Sequence, residues 1–404
     1  MFIYGKISPF QPGEPVKPEQ FQGRQKIIDK YSNFLYESSK GKSHHFFITG
    51  KRGMGKTSFA RYLKECAQYK YKMVAVHIIN EGIHDIDALI IQIVENILNE
   101  IEAEKWSKKI INAFTKYVDK VGLFGVTFKF KPEKDMLNNL RSNFAHFLMD
   151  LINNFEDKQG IFIIIDDING LSKTPEFANW YKSFTDTLAT SFSKPTPIAM
   201  MLTGYSEKLE ALSQHNESFS RIFKHASIGS LSKNEIKNFF IETFNEIDLQ
   251  VETDALNLMT HFSSGLPTMM QEIGDGVFWV NEKTIITHEI ALRGILRAGE
   301  EIGLKYLKPA LDNSIKSDKY LDIFDKLGID FVEHNIEEDY SFRKRDFKDK
   351  LNDDEIKVFG DFLIRARSLN IIEFTGATRS GHYKFTNNLY PLYFFIRSST
   401  RNES

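Results

Sequence analysis

Between residues 44 and 204, short and nearly continuous apolar runs alternate with stretches of helical spacing. His44-His45-Phe46-Phe47-Ile48-Thr49 reads as a buried strand, and Ser58 to Lys64 as the first turns of a helix. Met73 to Ile79 is a β-rich second strand, and Asp87 to Glu102 returns to helical spacing. Lys105 to Phe130 begins helically and ends in Gly122 to Phe130, which alternates at period two like a small hairpin or edge strand. Leu137 to Phe155 is helical again. Gly160 to Asp167 is an apolar run closed by two carboxylates, and Ile198 to Thr203 is another buried strand. Strands apolar on both faces, separated by helices, predict an α/β module: a parallel sheet with helices on each side.

The ends of the chain depart from this pattern. Prolines in Ser8 to Pro15 exclude regular helix or a central strand, so the segment should lie as an extended strap. Phe21-Gln22-Gly23-Arg24-Gln25 then leads into a helix through Ile27, Ile28, Tyr31, Phe34 and Leu35. From Ser230 the spacing is helical. Ser232-Lys233-Asn234-Glu235 is a capping box, and helices follow over Thr253 to Phe262 and Met269 to Val280. Residues 283–315 continue helically, giving a small all-α lid. Leu351 to Ser368 reads as an amphipathic helix, Asn370 to Phe374 as a strand, 375–381 as a turn rich in Gly, Ser and Thr, and His382 to Phe385 as the return strand. That is the layout of a winged helix. The expected organisation is a strap over 1–40, an α/β core over 41–228, a helical lid and linker over 229–315, and a winged helix over 316–404.

Composition adds exclusions. The chain is 42% apolar and 26% charged with a net charge of -2, so no global basic field announces nucleic acid, and any such contact must be a local patch. The single cysteine, Cys66, cannot form an intramolecular disulfide; it reads as a small buried hydrophobe in a reducing compartment. No run of about eighteen apolar residues would span a membrane, and Met1 to Lys6 lacks the plan of a signal peptide. The expected location is the cytoplasm.

The candidate chemistry centres on Gly50-Lys51-Arg52-Gly53-Met54-Gly55-Lys56-Thr57, followed by Ser58. It matches the phosphate-cradling pattern G-x-x-x-x-G-K-[ST], between a strand and a helix as that pattern requires. Glycines let backbone N–H groups approach phosphate, and the helix N-terminus adds partial positive charge. Lys56 would reach the β- and γ-phosphates, and the Thr57 hydroxyl would bind Mg²⁺. Asp166, at the end of an apolar strand, would hold the same ion, with Asp167 as general base for water. Thr203 either orients water near the γ-phosphate or closes a turn with Gly204. Arg221 is either a finger onto a neighbour's nucleotide or a solvated surface arginine. Pro267, near the first position of its helix, marks a helix start.

Together these residues resemble the AAA+-type ATPases that join the STAND signal-transduction, archaeal-type and replication-initiator ATPases. Phe21-Gln22-Gly23-Arg24 is similar to the F-x-G-R motif, which implies that Gly23 and Arg24 border the adenine. Gly50 to Thr57 resembles Walker A, Ile161 to Asp167 Walker B, and Leu202-Thr203-Gly204 the sensor-1 strand. Gly265-Leu266-Pro267 resembles the lid's G-x-P motif, which implies that Pro267 faces the nucleotide. Gln25 replaces a frequent glutamate, and Gly265 to Glu272 carries no sensor-2 arginine. The likeness implies an ATP- and Mg²⁺-dependent switch, cycling between ATP and ADP and assembling as a homo-oligomer through the nucleotide interface. The choice of ATP over GTP rests on it alone.

Two partner classes stay open. Ser341-Phe342-Arg343-Lys344-Arg345-Asp346-Phe347-Lys348 is basic and aromatic, and Arg365, Arg367, Arg379, His382 and Lys384 add charge, so residues 341–384 are a candidate DNA surface. Asp353, Asp354, Glu355 and the acids at 333–339 oppose phosphate, and winged helices also bind proteins. The alternative function is an ATP-loaded scaffold with negligible turnover whose winged helix recognises a protein.

Overall fold

Strand His44–Thr49 (β1) is buried along its whole length and sits inside a five-stranded sheet. The computed structural model describes residues 7–80, 82–101, 116–117, 133–315, 317–334, 336, 338–375 and 381–402. They divide into two compact units: residues 15–229, and residues 230–404 together with the segment before residue 15.

In the first unit, β1 is joined by Val74–Ile79 (β2), Ile161–Asp166 (β3), Ile198–Gly204 (β4) and Lys224–Ser227 (β5). The order is β2-β3-β4-β1-β5, and every pair is parallel. Gln25–Ser39 (α1) precedes β1, Lys56–Glu65 (α2) follows it, and Ile86–Glu100 (α3) follows β2. Lys134–Ser142 (α4) and Phe144–Ile152 (α5) precede β3; Pro175–Thr190 (α6) and Ser206–His215 (α7) follow β3 and β4. Alternate residues of the inner strands feed two layers. Phe47, Val76, Ile163 and Met200 pack with apolar residues of α3, α5 and α6. On the opposite face, the Tyr31 ring of α1 meets Phe46 at 5.1 Å and Phe59 of α2 at 5.9 Å, and Phe46 meets Phe162. Burial on both faces is why these strands carry no polar alternation.

The helix expected over Leu137 to Phe155 is two helices that meet at Asn143, whose φ of -110° and ψ of 22° leave the helical region. The period-two stretch Gly122 to Phe130 lies outside the described residues, as do residues 376–380 of the expected turn, Arg379 among them.

In the second unit, Lys233–Asn245 (α8) opens with the expected capping box of Ser232 and Glu235. Thr253–Ser263 (α9), Pro267–Val280 (α10) and His288–Ile302 (α11) follow. The two-residue strands Gln250–Val251 (β6) and Ile285–Ile286 (β7) pair in parallel. Phe10, from the proline-rich segment, is buried in this unit, 4.9 Å from the Phe244 ring and 5.9 Å from Phe239. Gly274 makes room for it: a Cβ there would lie 2.2 Å from the ring.

Lys308–Ser314 (α12) leads to Asp318–Glu333 (α13), Lys344–Phe347 (α14), Asp353–Ser368 (α15) and Leu389–Asn402 (α16). Phe342–Arg343 (β8), His382–Phe385 (β10) and Ile372–Phe374 (β9) form an antiparallel sheet in the order β8-β10-β9. Phe324 of α13 stacks on Phe394 of α16 at 4.4 Å and meets Phe362 of α15 edge-on at 4.6 Å. Gly299 and Gly303 let Leu392 and Tyr393 of α16 approach α11, so helices before and after residue 315 share one core. Among the described residues no helix is long and apolar enough to cross a membrane.

Candidate functional site

The carboxyl ends of β1, β3 and β4 bring the singled-out residues of the first unit together. A parallel sheet aims its loops there, and the N-terminus of the following helix adds positive potential. Gly50 leaves β1 so close to Ile228 that a Cβ would lie 2.7 Å from the Ile228 carbonyl oxygen. Gly53 and Gly55 take φ of +79° and +82°, a region open to glycine, and α2 starts at Lys56. Lys51, Arg52 and Gly53 are exposed, whereas Met54 and Ser58 are buried beneath the loop.

The Lys56 Nζ donates to the carbonyl oxygens of Gly50 at 2.8 Å and Lys51 at 3.2 Å. It also lies 5.0 Å from the centre of the Tyr205 ring. Burial pulls the ammonium pKa below its ordinary value, and the charges of Asp166 and Asp167 oppose that fall. The lysine is thus held at the loop by weak acceptors that a phosphate would outcompete.

Asp166 ends β3 and is 4% exposed. Its carboxylate accepts hydrogen bonds from His77 at 3.1 Å and from the Thr203 hydroxyl, and the Thr57 side chain is near enough to favour its charged form. Burial raises the carboxyl pKa, but these bonds and the nearby imidazole outweigh it and the net shift is downward. Asp167 is exposed, with φ of +62°, a left-handed conformation unusual for a residue other than glycine. Its N–H donates to the Thr203 hydroxyl at 3.0 Å, and its Oδ1 accepts from the Asn169 N–H at 3.3 Å. Thr203 is fully buried and bridges the two aspartates, a contact that neither reading of it from sequence contained. The oxygen atoms of Thr57 and Asp166 are near one another, and oxygen ligands suit a hard divalent cation such as Mg²⁺.

Of the remaining candidates, Gly23 and Arg24 stand at the start of α1, both at positive φ, with Arg24 donating to the Gly229 carbonyl at 2.8 Å. Arg221 lies in the short turn Phe219–Ile222, exposed and without a carboxylate partner among the described residues. Pro267 occupies the first turn of α10, in the second unit. In that unit Arg343 is exposed, while Arg345 pairs with Asp346 at 3.3 Å and Lys384 with Glu373 at 3.4 Å. Arg365 bonds the Ser314 carbonyl, and Arg367 sits 3.9 Å over the Phe374 ring. Glu355 is buried, caps α15 and pairs with Lys326, so it acts within the fold.

Sequence reasoning passed over His77 and Tyr205. His77 interrupts an otherwise apolar strand, and that lone polar residue was the available signal.

The comparisons fit this geometry. The Walker-type ATPase paby2304 of Pyrococcus abyssi superposes with a TM-score of 0.52 over 96% of this chain and 99% of that one, at 15% identity. The Aeropyrum pernix ORC2 protein, solved as ADPNP–ADP complexes, superposes with a TM-score of 0.58 over 98% and 100%, at 11% identity. These likenesses concern the fold. No curated protein matches the chain. Residues 24–176 match the KAP family P-loop domain, and the fold of the first unit is that of a P-loop NTPase.

Proposed function

We propose that the chain binds ATP with Mg²⁺, hydrolyses it, and uses the ATP–ADP cycle to switch its engagement with a partner. The observation that carries this reading is the convergence of Lys56, Thr57, Asp166, Asp167 and Thr203 at one end of the sheet. The N–H groups of the loop from Lys51 to Ser58 would cradle the phosphates, and the Lys56 ammonium would move from its carbonyl acceptors onto the β- and γ-oxygens. Thr57 and Asp166 would hold Mg²⁺, which when bound offsets phosphate charge. Asp167 is the exposed carboxylate, free to take a proton from attacking water, while Thr203 sets the angle between the two aspartates. Gly23 and Arg24 are proposed to border the base. The adenine nucleotides named for the Aeropyrum pernix protein favour ATP over GTP.

Switching requires ATP to bind one conformation better than the other; equal affinity would shift nothing. Arg221, exposed and without a carboxylate partner among the described residues, supports a finger onto the nucleotide of a second copy, hence a homo-oligomer. The strand pair β9–β10 with its helices supports a winged helix, and Arg343 with Lys344 keeps DNA a candidate partner beside protein.

The test is ATP turnover by the full chain with and without Mg²⁺. Wild type should turn over only with Mg²⁺, and Lys56→Ala and Asp167→Asn should abolish it. Wild-type turnover no faster than these variants would favour the scaffold reading. For the finger, Arg221→Ala should lose turnover while keeping nucleotide affinity.

A further inference from the structure

The first unit carries a second cleft at the end of the sheet opposite the phosphate loop. Lys72 and Gln159, in its lining, precede β2 and β3, whereas Gly50 and Asp166 stand at the other ends of β1 and β3. Six-residue strands at ~3.3 Å per residue put the two ends roughly 20 Å apart. The cleft encloses about 720 Å³ between the C-terminal halves of α1 and of the segment after α2. There the helix widens: the Tyr71 N–H bonds to the Cys66 carbonyl five residues back, and Lys72 follows with φ of +53°. This turn delivers Lys70, Tyr71 and Lys72 to the cleft, opposite Tyr36 and Lys40 of α1.

The chemistry of the lining is specific. Tyr36 and Tyr71 stand with ring centres 6.0 Å apart at 55°, and the Tyr71 hydroxyl is held by Ser32 at 2.7 Å. The Lys40 Nζ lies 5.7 Å from the Tyr36 ring centre and the Lys70 Nζ 5.4 Å from that of Tyr71. Among the described residues no carboxylate pairs with Lys40, Lys70 or Lys72. The one carboxylate in the lining, Asp29, accepts a hydrogen bond from Gln25 instead. Three ammonium groups against one carboxylate make a positive cleft in a chain whose net charge is -2.

Lysines near helix C-termini complement the helix dipole, which accounts for each of them singly. It does not account for three, from two separate segments, meeting around two tyrosine rings. An anion with planar groups uses both features. The cleft lies beside the C-terminal, partly negative ends of two helical segments, which disfavours the dense charge of a triphosphate. One charge per repeat, alternating with a flat ring, suits it better. We propose that this cleft binds a short run of single-stranded nucleic acid, with Lys40, Lys70 and Lys72 on its phosphates and Tyr36 and Tyr71 stacked on its bases. This site is independent of the proposed ATPase reaction.

The experiment is an anisotropy titration of a labelled oligothymidylate of about 12 nucleotides with the full chain at about 50 mM salt. The wild type should bind. The triple variant Lys40→Ala, Lys70→Ala, Lys72→Ala should bind at least ~10-fold more weakly, with the slope of log K against log salt reduced by about 2, near 0.7 per lost phosphate contact. Tyr36→Ala should weaken binding about 5- to 100-fold and Tyr36→Phe should restore it. In a chain already carrying Arg343→Glu with Lys344→Glu, the triple variant and Tyr36→Ala should show the same fold losses as on the wild-type background, which separates this site from the C-terminal basic run. Failure of the wild type to bind, a triple variant as tight as wild type, or competition by polyglutamate equal to that by unlabelled oligonucleotide would each overturn the proposal.

Discussion

The Nε2 of His77 lies 3.1 Å from Oδ2 of Asp166, and both side chains are largely buried. Ile79 is the residue of β2 in register with Asp166, so His77, two positions earlier, leans along the same face to reach it. The imidazole thereby sets the direction of a carboxylate that also accepts from Thr203 and has the Thr57 side chain nearby. A hydrogen bond to a charged group contributes about 1.5–3 kcal/mol, which corresponds to roughly 10- to 100-fold in rate if it is needed only for the reactive geometry. His77→Leu should lower kcat by that factor, raise the Mg²⁺ concentration needed for half-maximal turnover, and leave ATP affinity nearly unchanged. His77→Gln, which keeps an N–H donor, should recover most of the loss. Wild-type kcat in His77→Leu would mean that the two threonines suffice to aim Asp166.

Thr203 offers a cleaner dissection, because one hydroxyl serves both aspartates. Thr203→Val preserves shape and removes it, leaving the Asp167 N–H without that acceptor. Unfolding in denaturant should show a loss of about 1–3 kcal/mol, the penalty for a buried polar group deprived of its partner. Turnover should fall more steeply than nucleotide affinity. Thr203→Ser should retain both properties. If valine changed stability but not kcat, the bridge would serve the fold and not the reaction.

How far the sequence told this story varies with the physics at each position. The glycine-rich loop between β1 and α2 and the paired aspartates closing β3 were legible as a pattern because such a motif fixes residue types at fixed spacing. The strands were legible from burial on two faces, and the capping box of Ser232 and Glu235 from its own local hydrogen bonds. His77 was not, because its partner lies 89 positions away and strand order is invisible in a period. The break at Asn143 escaped because the apolar spacing of Leu140, Phe144 and Phe147 runs on across it. The proline-rich segment could be read as extended, but nothing local says that Phe10 belongs with Phe239 and Phe244.

That last contact is testable by a double-mutant cycle. Phe10 fills the space left by Gly274, so Phe10→Ala should cost about 3–5 kcal/mol of unfolding free energy. Gly274→Ala favours the helix by roughly 1 kcal/mol locally, yet its Cβ would lie 2.2 Å from the ring and must displace it. On the wild-type background the alanine should therefore destabilise. In a chain already carrying Phe10→Ala it should be neutral or stabilising. Additive effects in the cycle would place the Phe10 ring elsewhere.

His45 gives the molecule a defined acid limb. Its ring is enclosed in the core, its Nδ1 is 2.9 Å from the Tyr181 hydroxyl, and burial lowers its pKa from 6.5 to about 3. Tyr181, wholly enclosed, is pushed the other way and stays protonated, so it is suited to donate to a neutral imidazole. Above the unfolded value neither state binds a proton at this position and pH has no leverage through it. Between 6.5 and about 3 the unfolded chain takes up a proton that the folded chain refuses, so stability falls with falling pH, by at most ~1.4 kcal/mol per unit. His45→Gln removes the titrating group while keeping a polar partner for Tyr181. Its stability at neutral pH should be equal or lower, but its decline between pH 6.5 and 4 should be shallower than that of wild type, measured by denaturant unfolding at each pH. Parallel declines would mean that His45 is protonated in the folded state, and the enclosed neutral pair would have to be abandoned.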